Sequence, residues 1–418
     1  METDFLRGLT YWPRRSGFRW WSAFDRSELR EDMQRVAALG LTDVRFCLPW
    51  EDVQPAPHKV DGSLLRAFER ALDEAGAAGL RVIVGLFPVA VAGALFVPRW
   101  IANPDPLADL LRLGSMGAAL TETLTLPQVV YEGGYRTSSA ADLFRDSSVI
   151  ESQRYQINEV VGYFGSHPVV RFWQLGAGLE RVHPPASDDA VEQWYVIMAE
   201  TARASHSAAK LLGVTSARGL LSRAGPRPAQ LAAVCDMVGV AIDAPLPLPK
   251  FHLESLDALE FMYTLACGLA QQPVAVLGLG LPTTPDNRAR RVADTLYGEH
   301  VTTALVSGPN QAEFIGRAIE QLRAARAPLV LLGDYADYPA PWHDPPLDRS
   351  IATRTRGLID AAGREKPAAD AVRAFAGSTL PATCAARSTL AEQLDIDRYW
   401  HNPADECARL WRVFLAER

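Results

Sequence analysis

The sequence predicts an α/β protein built as one (β/α)8 TIM barrel. Three observations carry that prediction. Short apolar segments alternate with helix-period segments along the chain, the pattern of parallel strands joined by crossover helices. Eight such strands can be counted, and a ring of eight leaves no exposed edge. The 418 residues fit one large barrel with insertions, the alternative being two ordinary domains.

The elements follow in order. Strand one is expected near Phe5–Tyr11, and a helix over about Ser27–Leu39 puts Leu29, Met33, Val36 and Ala37 on one face before Gly40 stops it. Strand two is expected at Asp43–Leu48. The next helix, about Leu64–Ala78, carries the stripe Leu65, Phe68, Leu72, Ala75 and stops at Gly79; strand three follows at Arg81–Phe87. Residues 88–148 form a long insertion rich in Gly, Ser, Thr and Pro in places, with a short helix expected at Pro106–Leu113. In a barrel such a segment rises over the ligand-binding face as a lid.

A helix near Ile150–Phe164 leads to strand four at Val169–Leu175, and a helix over Asp189–Lys210 leads to strand five at Leu211–Thr215. Strand six is expected at Met237–Ile242, a helix at Leu256–Ala270, and strand seven at Pro273–Leu277. The helix Gln311–Arg326 and strand eight, Leu329–Leu332, complete the ring, with Pro367–Phe375 as the last barrel helix. The expected organisation is a barrel over 1–376, including the 88–148 insertion, and a small C-terminal appendage over 377–418. The tail helix has Asn402 as its cap, Pro403 at its first position, and an apolar stripe of Leu410, Trp411 and Phe414 that docks on the barrel or on a partner chain.

Bulk properties bound the function. Apolar residues make up 48% of the chain and the net charge is −7. There is no basic run or patch, so nucleic acid is not an expected partner. No window of 18 clean apolar residues suggests a membrane span. The opening Met1-Glu-Thr-Asp-Phe-Leu-Arg7 lacks the pattern of a signal peptide, and the five scattered cysteines read as reduced thiols. A cytoplasmic location is therefore expected. No metal spacing, dinucleotide fingerprint or serine-hydrolase elbow is present, so no cofactor is expected.

The stretch Arg171-Phe-Trp-Gln-Leu-Gly-Ala-Gly-Leu-Glu180 is the most informative. It resembles strand four of the clan A retaining glycosidase barrels, the family 5-like, cellulase-type branch, which typically reads Trp-x-Leu-x-Asn-Glu. Strand one, Leu6-Arg-Gly-Leu-Thr-Tyr-Trp-Pro13, and strand two, Val44-Arg-Phe-Cys-Leu-Pro-Trp50, also resemble that family, as do Asp348, Gly357-Leu358 and Lys366-Pro-Ala368. The likeness extends over nearly the whole chain. It implies a glycoside hydrolase scaffold, with Arg45 as the arginine that supports the nucleophile; in this chain Arg45 is read as structural, pairing with a neighbouring acid below the former site, ahead of a ligand contact.

The chemistry implied by that resemblance needs two carboxylates about 5–5.5 Å apart. Here the acid/base pair maps onto Ala177 and Gly178, and the nucleophile of strand seven maps onto Gly278 in Pro273-Val-Ala-Val-Leu-Gly-Leu-Gly-Leu-Pro-Thr283. Neither alanine nor glycine transfers a proton. Other family positions map onto Ala90, Ala241-Ile242-Asp243, Gly333 and Ala352-Thr353. The expectation is a catalytically inactive, glycosidase-like protein that binds a glycan or a protein partner, with a mouth less charged than an active site and partly apolar.

Candidate pocket residues are Trp12, Arg45, Trp50, Asp243, Asp334 and Tyr335. The tryptophans stack on sugars or pack the core, the latter being favoured. Asp243 and Asp334 read as turn formers, or as a substitute pair in an alternative, active hydrolase. Glu180 is read as facing solvent or beginning the following loop, the alternative being a swing toward the mouth. A further alternative is a structural subunit that docks on an active relative.

Overall fold

The computed structural model describes residues 5–103, 127–223, 225–242, 244–376 and 390–418. Eight parallel strands close into a barrel. They are β1 (Leu6–Thr10), β2 (Asp43–Cys47), β3 (Arg81–Pro88), β4 (Val170–Ala177), β5 (Leu211–Ser216), β6 (Met237–Ala241), β7 (Ala275–Leu279) and β8 (Leu329–Asp334). Sequential strands pair around the ring, and β1 closes on β8 with Leu6 opposite Leu329 and Gly8 opposite Leu331.

The main helices are α1 (Arg26–Ala38), α2 (Gly62–Ala77), α3 (Ser147–Phe164), α4 (Asp188–Ser205), α5 (Pro228–Val234), α6 (Leu256–Ala270), α7 (Gly308–Ala324), α8 (Pro367–Ala376) and α9 (Pro403–Ala416). Their starts follow from side-chain capping. Asp25, Asp61 and Asp146 each accept two backbone N–H groups from the first turn, satisfying donors that the helix itself leaves unpaired. That is why α1, α2 and α3 begin one to three residues before the apolar periodicity does.

Two apolar layers result. Ile83, Phe172, Leu212, Val214, Ala275, Leu277, Leu329 and Leu331 fill the inside of the ring. A larger core lies between the outer faces of the strands and the helices, with Phe46, Trp173 and Val240 among its buried residues. The barrel interior is therefore packed between its two ends.

Several boundaries differ from the sequence reading. Helix α4 stops at Ser205, well before Lys210, and β7 is shifted two residues toward the C-terminus. Helix α5 was not anticipated. Neither was an antiparallel hairpin, Arg290–Leu296 with Glu299–Leu305, inserted after β7. The insertion after β3 forms small sheets, in which Ala94–Phe96 pairs with Ala90–Val91 and Gln128–Tyr131. The helix expected at Pro106–Leu113 lies outside the described residues.

In the tail, Asn402 precedes α9 but its amide donates to Asp405 at 2.5 Å; its side chain accepts no backbone N–H. Helix α9 packs on α6, where the Trp411 and Phe261 rings lie 5.0 Å apart and Trp411 Nε1 donates to the Pro249 carbonyl. Among the described residues no helix is long and apolar enough to cross a membrane, and four cysteines are free thiols.

Candidate functional site

A cavity opens at the C-terminal ends of the strands, the end where barrel loops bind ligands. It encloses about 780 Å³, including part of its open mouth. Thr10 (β1), Arg45 and Cys47 (β2), Gln174 and Ala177 (β4), Val214 to Ser216 (β5), Ala241 (β6), Leu277 and Gly278 (β7) and Asp334 (β8) line it. Loops add Trp12, Ala90 to Ala92, Gly178, Glu180, Arg181, Tyr297 and Arg356.

Polar groups form much of the floor. Arg45 Nη1 donates to Gln174 Oε1 at 3.2 Å, and Gln174 Nε2 donates to the Gly176 carbonyl at 3.1 Å, which fixes the amide. Asp334 is 2% exposed and accepts from Arg356 Nε at 2.8 Å. On this floor Arg45 Nε is buried without a hydrogen-bond partner. Burial pushes the Cys47 thiol above its ordinary range, with the Arg45 charge opposing and the Asp334 charge adding to the rise.

The roof comes from the hairpin after β7. At its tip Tyr297 (φ 52) and Gly298 (φ 82) occupy the left-handed region, as a two-residue type I′ turn requires. Tyrosine is a costly choice there. Its N–H donates to the Gly93 carbonyl at 2.7 Å, joining the hairpin to the insertion after β3. The Arg181 guanidinium lies over the Tyr297 ring, 4.8 Å from its centroid. Arg181 also stands 4.0 Å from Glu299, which Arg218 contacts as well.

The glycines at the strand ends are conformationally specific. Gly178 has φ 73 and Gly278 has φ 77, a region that other residues enter only under strain. A Cβ built at Gly178 would overlap the Ala90 Cβ. A Cβ at Gly333 would lie 3.2 Å from Arg356 Cδ, so the Arg356 chain covers the end of β8.

The six candidate pocket residues separate clearly. Trp12, Arg45 and Asp334 line the cavity. Trp50 does not: it is 1% exposed, packs on Phe87 at 5.1 Å, and donates from Nε1 to Gln54. Tyr335 also lies elsewhere, donating at 2.6 Å to Asp32, which Tyr11 contacts too. Both belong to the outer core: Trp50 opens the short helix Trp50–Val53, and Tyr335 follows the end of β8. Asp243 lies outside the described residues. Glu180, expected to face solvent, lines the cavity because the short 3₁₀ turn Leu179–Arg181 folds back over the mouth.

The mouth also holds more charge than expected, with Arg45, Arg181, Arg356, Glu180 and Asp334 around one cavity. Sequence reasoning missed Gln174 as a floor residue. A polar residue within the apolar Phe172-Trp-Gln-Leu175 run was the available signal. The alternation of Arg290–Leu296 and Glu299–Leu305 around Tyr297-Gly298 was the signal for the hairpin. A wider groove, about 1310 Å³ with its open space, runs between that hairpin and the loop after β6, and shares Arg356 with the cavity.

No protein-family model matches the chain. No curated protein matches it either. Solved structures do. An alanine variant of GH5_18 from Streptomyces cattleya, in complex with Manβ1-4GlcNAc, superposes with a TM-score of 0.69 at 18% identity, covering 91% of this chain and 82% of that one. GH5_18 from Bifidobacterium longum subsp. longum gives 0.67 at 19% identity, covering 90% and 80%. An exo-β-1,4-mannosidase from Opitutaceae bacterium strain TAV5 gives 0.67 at 21% identity, with 89% of this chain on 59% of that one. At these identities the likeness is one of fold: a (β/α)8 barrel of the kind those proteins share.

Proposed function

We propose that this chain is a glycosidase-type barrel without hydrolytic activity that binds a carbohydrate in the mouth of the barrel. The observation that carries the reading is the contact between Gly178 and Ala90. By resemblance these two positions belong to the acid/base and to a histidine of strand three. Here they are small together, and one leaves no room for a side chain on the other. Gly278 at φ 77 and the Arg356 chain laid over Gly333 support the same reading, since the surroundings have closed around the small residues.

The unit that binds is taken as residues 1–376, with 88–148 as its lid and 377–418 as an appendage. The solved barrels of similar fold include one in complex with Manβ1-4GlcNAc, which makes mannose, N-acetylglucosamine and that disaccharide the first ligands to try. The decisive experiment combines calorimetric binding of these sugars with hydrolysis assays on 4-nitrophenyl β-glycosides. Binding without turnover is expected.

A second reading is favoured by one observation. Glu180 and Asp334 line the same cavity, so a hydrolase with displaced carboxylates has candidates for both roles. Against it, Asp334 is already held by Arg356 at 2.8 Å. Hydrolysis that disappears in both Glu180→Gln and Asp334→Asn would establish this second reading and overturn the first.

A further inference from the structure

The inference rests on the carbohydrate-binding reading above and names what the carbohydrate is attached to. It starts from the groove between the hairpin after β7 and the loop after β6, about 1310 Å³ with its open space. Groove and cavity are neighbours along three elements. Ala241, Gly278 and Tyr297 line the cavity, Ile242, Gly280 and Leu296 line the groove, and Arg356 lines both.

The groove is apolar where a ligand can reach it. Pro245, Pro247 and Leu253 on the loop, and Val301 and Ala304 on the hairpin, keep accessible surface in its lining. The walls are tied to each other, because Arg291 of the hairpin contacts Glu254 of the loop and lies 3.3 Å from His252 Nδ1. The remaining arginines and carboxylate of the lining are also met by opposite charges, Arg218 by Glu299 and Arg356 by Asp334. An ionic group placed there would lose water without gaining a free counter-charge. A further sugar would press hydroxyls against an aliphatic wall, which also costs free energy. The complement of this groove is neutral and apolar.

We infer that cavity and groove take one amphiphilic glycoside, its sugar in the cavity and an apolar alkyl or aryl aglycone in the groove. The cavity supplies the polar half, with Gln174, Glu180 and Arg181 among its lining residues. The groove supplies the apolar half. The linkage between them passes Arg356, the side chain common to both spaces. Each methylene buried in the groove adds about fourfold to affinity, so the aglycone decides how tightly a small sugar is held.

The test is calorimetric titration of the full chain, below micellar concentrations, with methyl and octyl β-D-glucoside, β-D-mannoside and N-acetyl-β-D-glucosaminide. Cellotetraose, mannotetraose and a sugar-free octyl tetraethylene glycol ether are titrated alongside. At least one octyl glycoside should bind about tenfold or more tightly than its methyl counterpart, the gain from about two buried methylenes. It should exceed the sugar-free ether by a similar factor. Leu253→Asn should cut the octyl gain severalfold while leaving methyl glycoside affinity unchanged. Val301→Thr, which keeps shape and strand preference, should also reduce the gain with an unchanged thermal transition, so the inference stays testable if the leucine variant misfolds. Octyl and methyl glycosides binding equally would overturn the aglycone and leave the carbohydrate reading intact. A tetrasaccharide that gains as much as the octyl chain, or a gain that survives both substitutions, would overturn the apolar groove. The ether binding as tightly as the octyl glycosides would overturn the joined ligand. Binding by none of the glycosides or sugars would overturn both readings.

Discussion

The two ends of the barrel treat an arginine differently. At the N-terminal end Arg171 (β4) meets Asp43 (β2) at 2.6 Å, and Asp43 is fully buried and also accepts from Thr42. Burial raises the Asp43 carboxyl above its ordinary range, with Thr42 and Arg171 opposing the rise. At the C-terminal end Arg45, two residues from Asp43 on the same strand, has only the Gln174 amide as a protein acceptor. One end completes its charges internally. The other leaves its arginine, among the described residues, without a counter-charge. In barrels the first end serves stability and the second binds.

Removing charge should therefore cost unequal amounts at the two ends. Arg171→Met leaves Asp43 buried without its counter-charge and should lower unfolding free energy by about 3–5 kcal/mol. Arg45→Met strands no carboxylate and should cost about 1 kcal/mol or less. Urea unfolding of the two variants measures the difference, and equal losses would break the comparison.

A buried pair behind the cavity sharpens it. Lys366 Nζ binds both carboxylate oxygens of Asp337, at 2.9 and 3.0 Å. Burial, outweighing Lys366, pushes the Asp337 carboxyl up to about 6. Lys366→Met should cost about 3 kcal/mol at neutral pH. It should also raise that carboxyl further. A carboxyl raised in the folded state holds its proton there more tightly than in the unfolded chain. Its stabilising share is complete below the ordinary value of 3.8 and is lost as pH rises through the folded value. The deficit of the variant should therefore shrink as pH falls from 7 toward 4, read by unfolding at each pH.

Rebuilding the pair of acids is next in size. Gly178→Glu combines left-handed strain with the overlap on Ala90, each worth about 1–3 kcal/mol. The triple variant Ala177→Asn, Gly178→Glu, Gly278→Glu should be destabilised and remain inactive on aryl glycosides. Efficient hydrolysis by it would mean that the surrounding shell is still intact. The smallest effect belongs to Tyr297→Asn. Asparagine suits the turn, which offsets part of the loss of a ring that is 6% exposed, so stability should fall by about 1 kcal/mol. Sugar affinity should fall, because the ring that Arg181 covers is lost.

The sequence by itself determined the barrel. Apolar strands such as Arg81–Phe87 and helices with a clear stripe, such as Leu64–Ala78, announce themselves because burial of one face imposes a period that local reading detects. It also located Ala177, Gly178 and Gly278 at strand ends. What it left open were contacts between residues distant in the chain. Trp50 and Tyr335 looked like mouth residues, yet each points into the outer core, Trp50 from the short helix Trp50–Val53 and Tyr335 from just beyond β8, where the register against β1 shifts by a residue. Glu180 joined the cavity through a single 3₁₀ turn. Tyr297 reached it across a hairpin inserted after β7. That Arg45 pairs with the Gln174 amide and, among the described residues, with no carboxylate, and that Gly178 meets Ala90, are facts about pairs separated by many residues. Periodicity carries no information about such pairs, and only the closed ring brings them together.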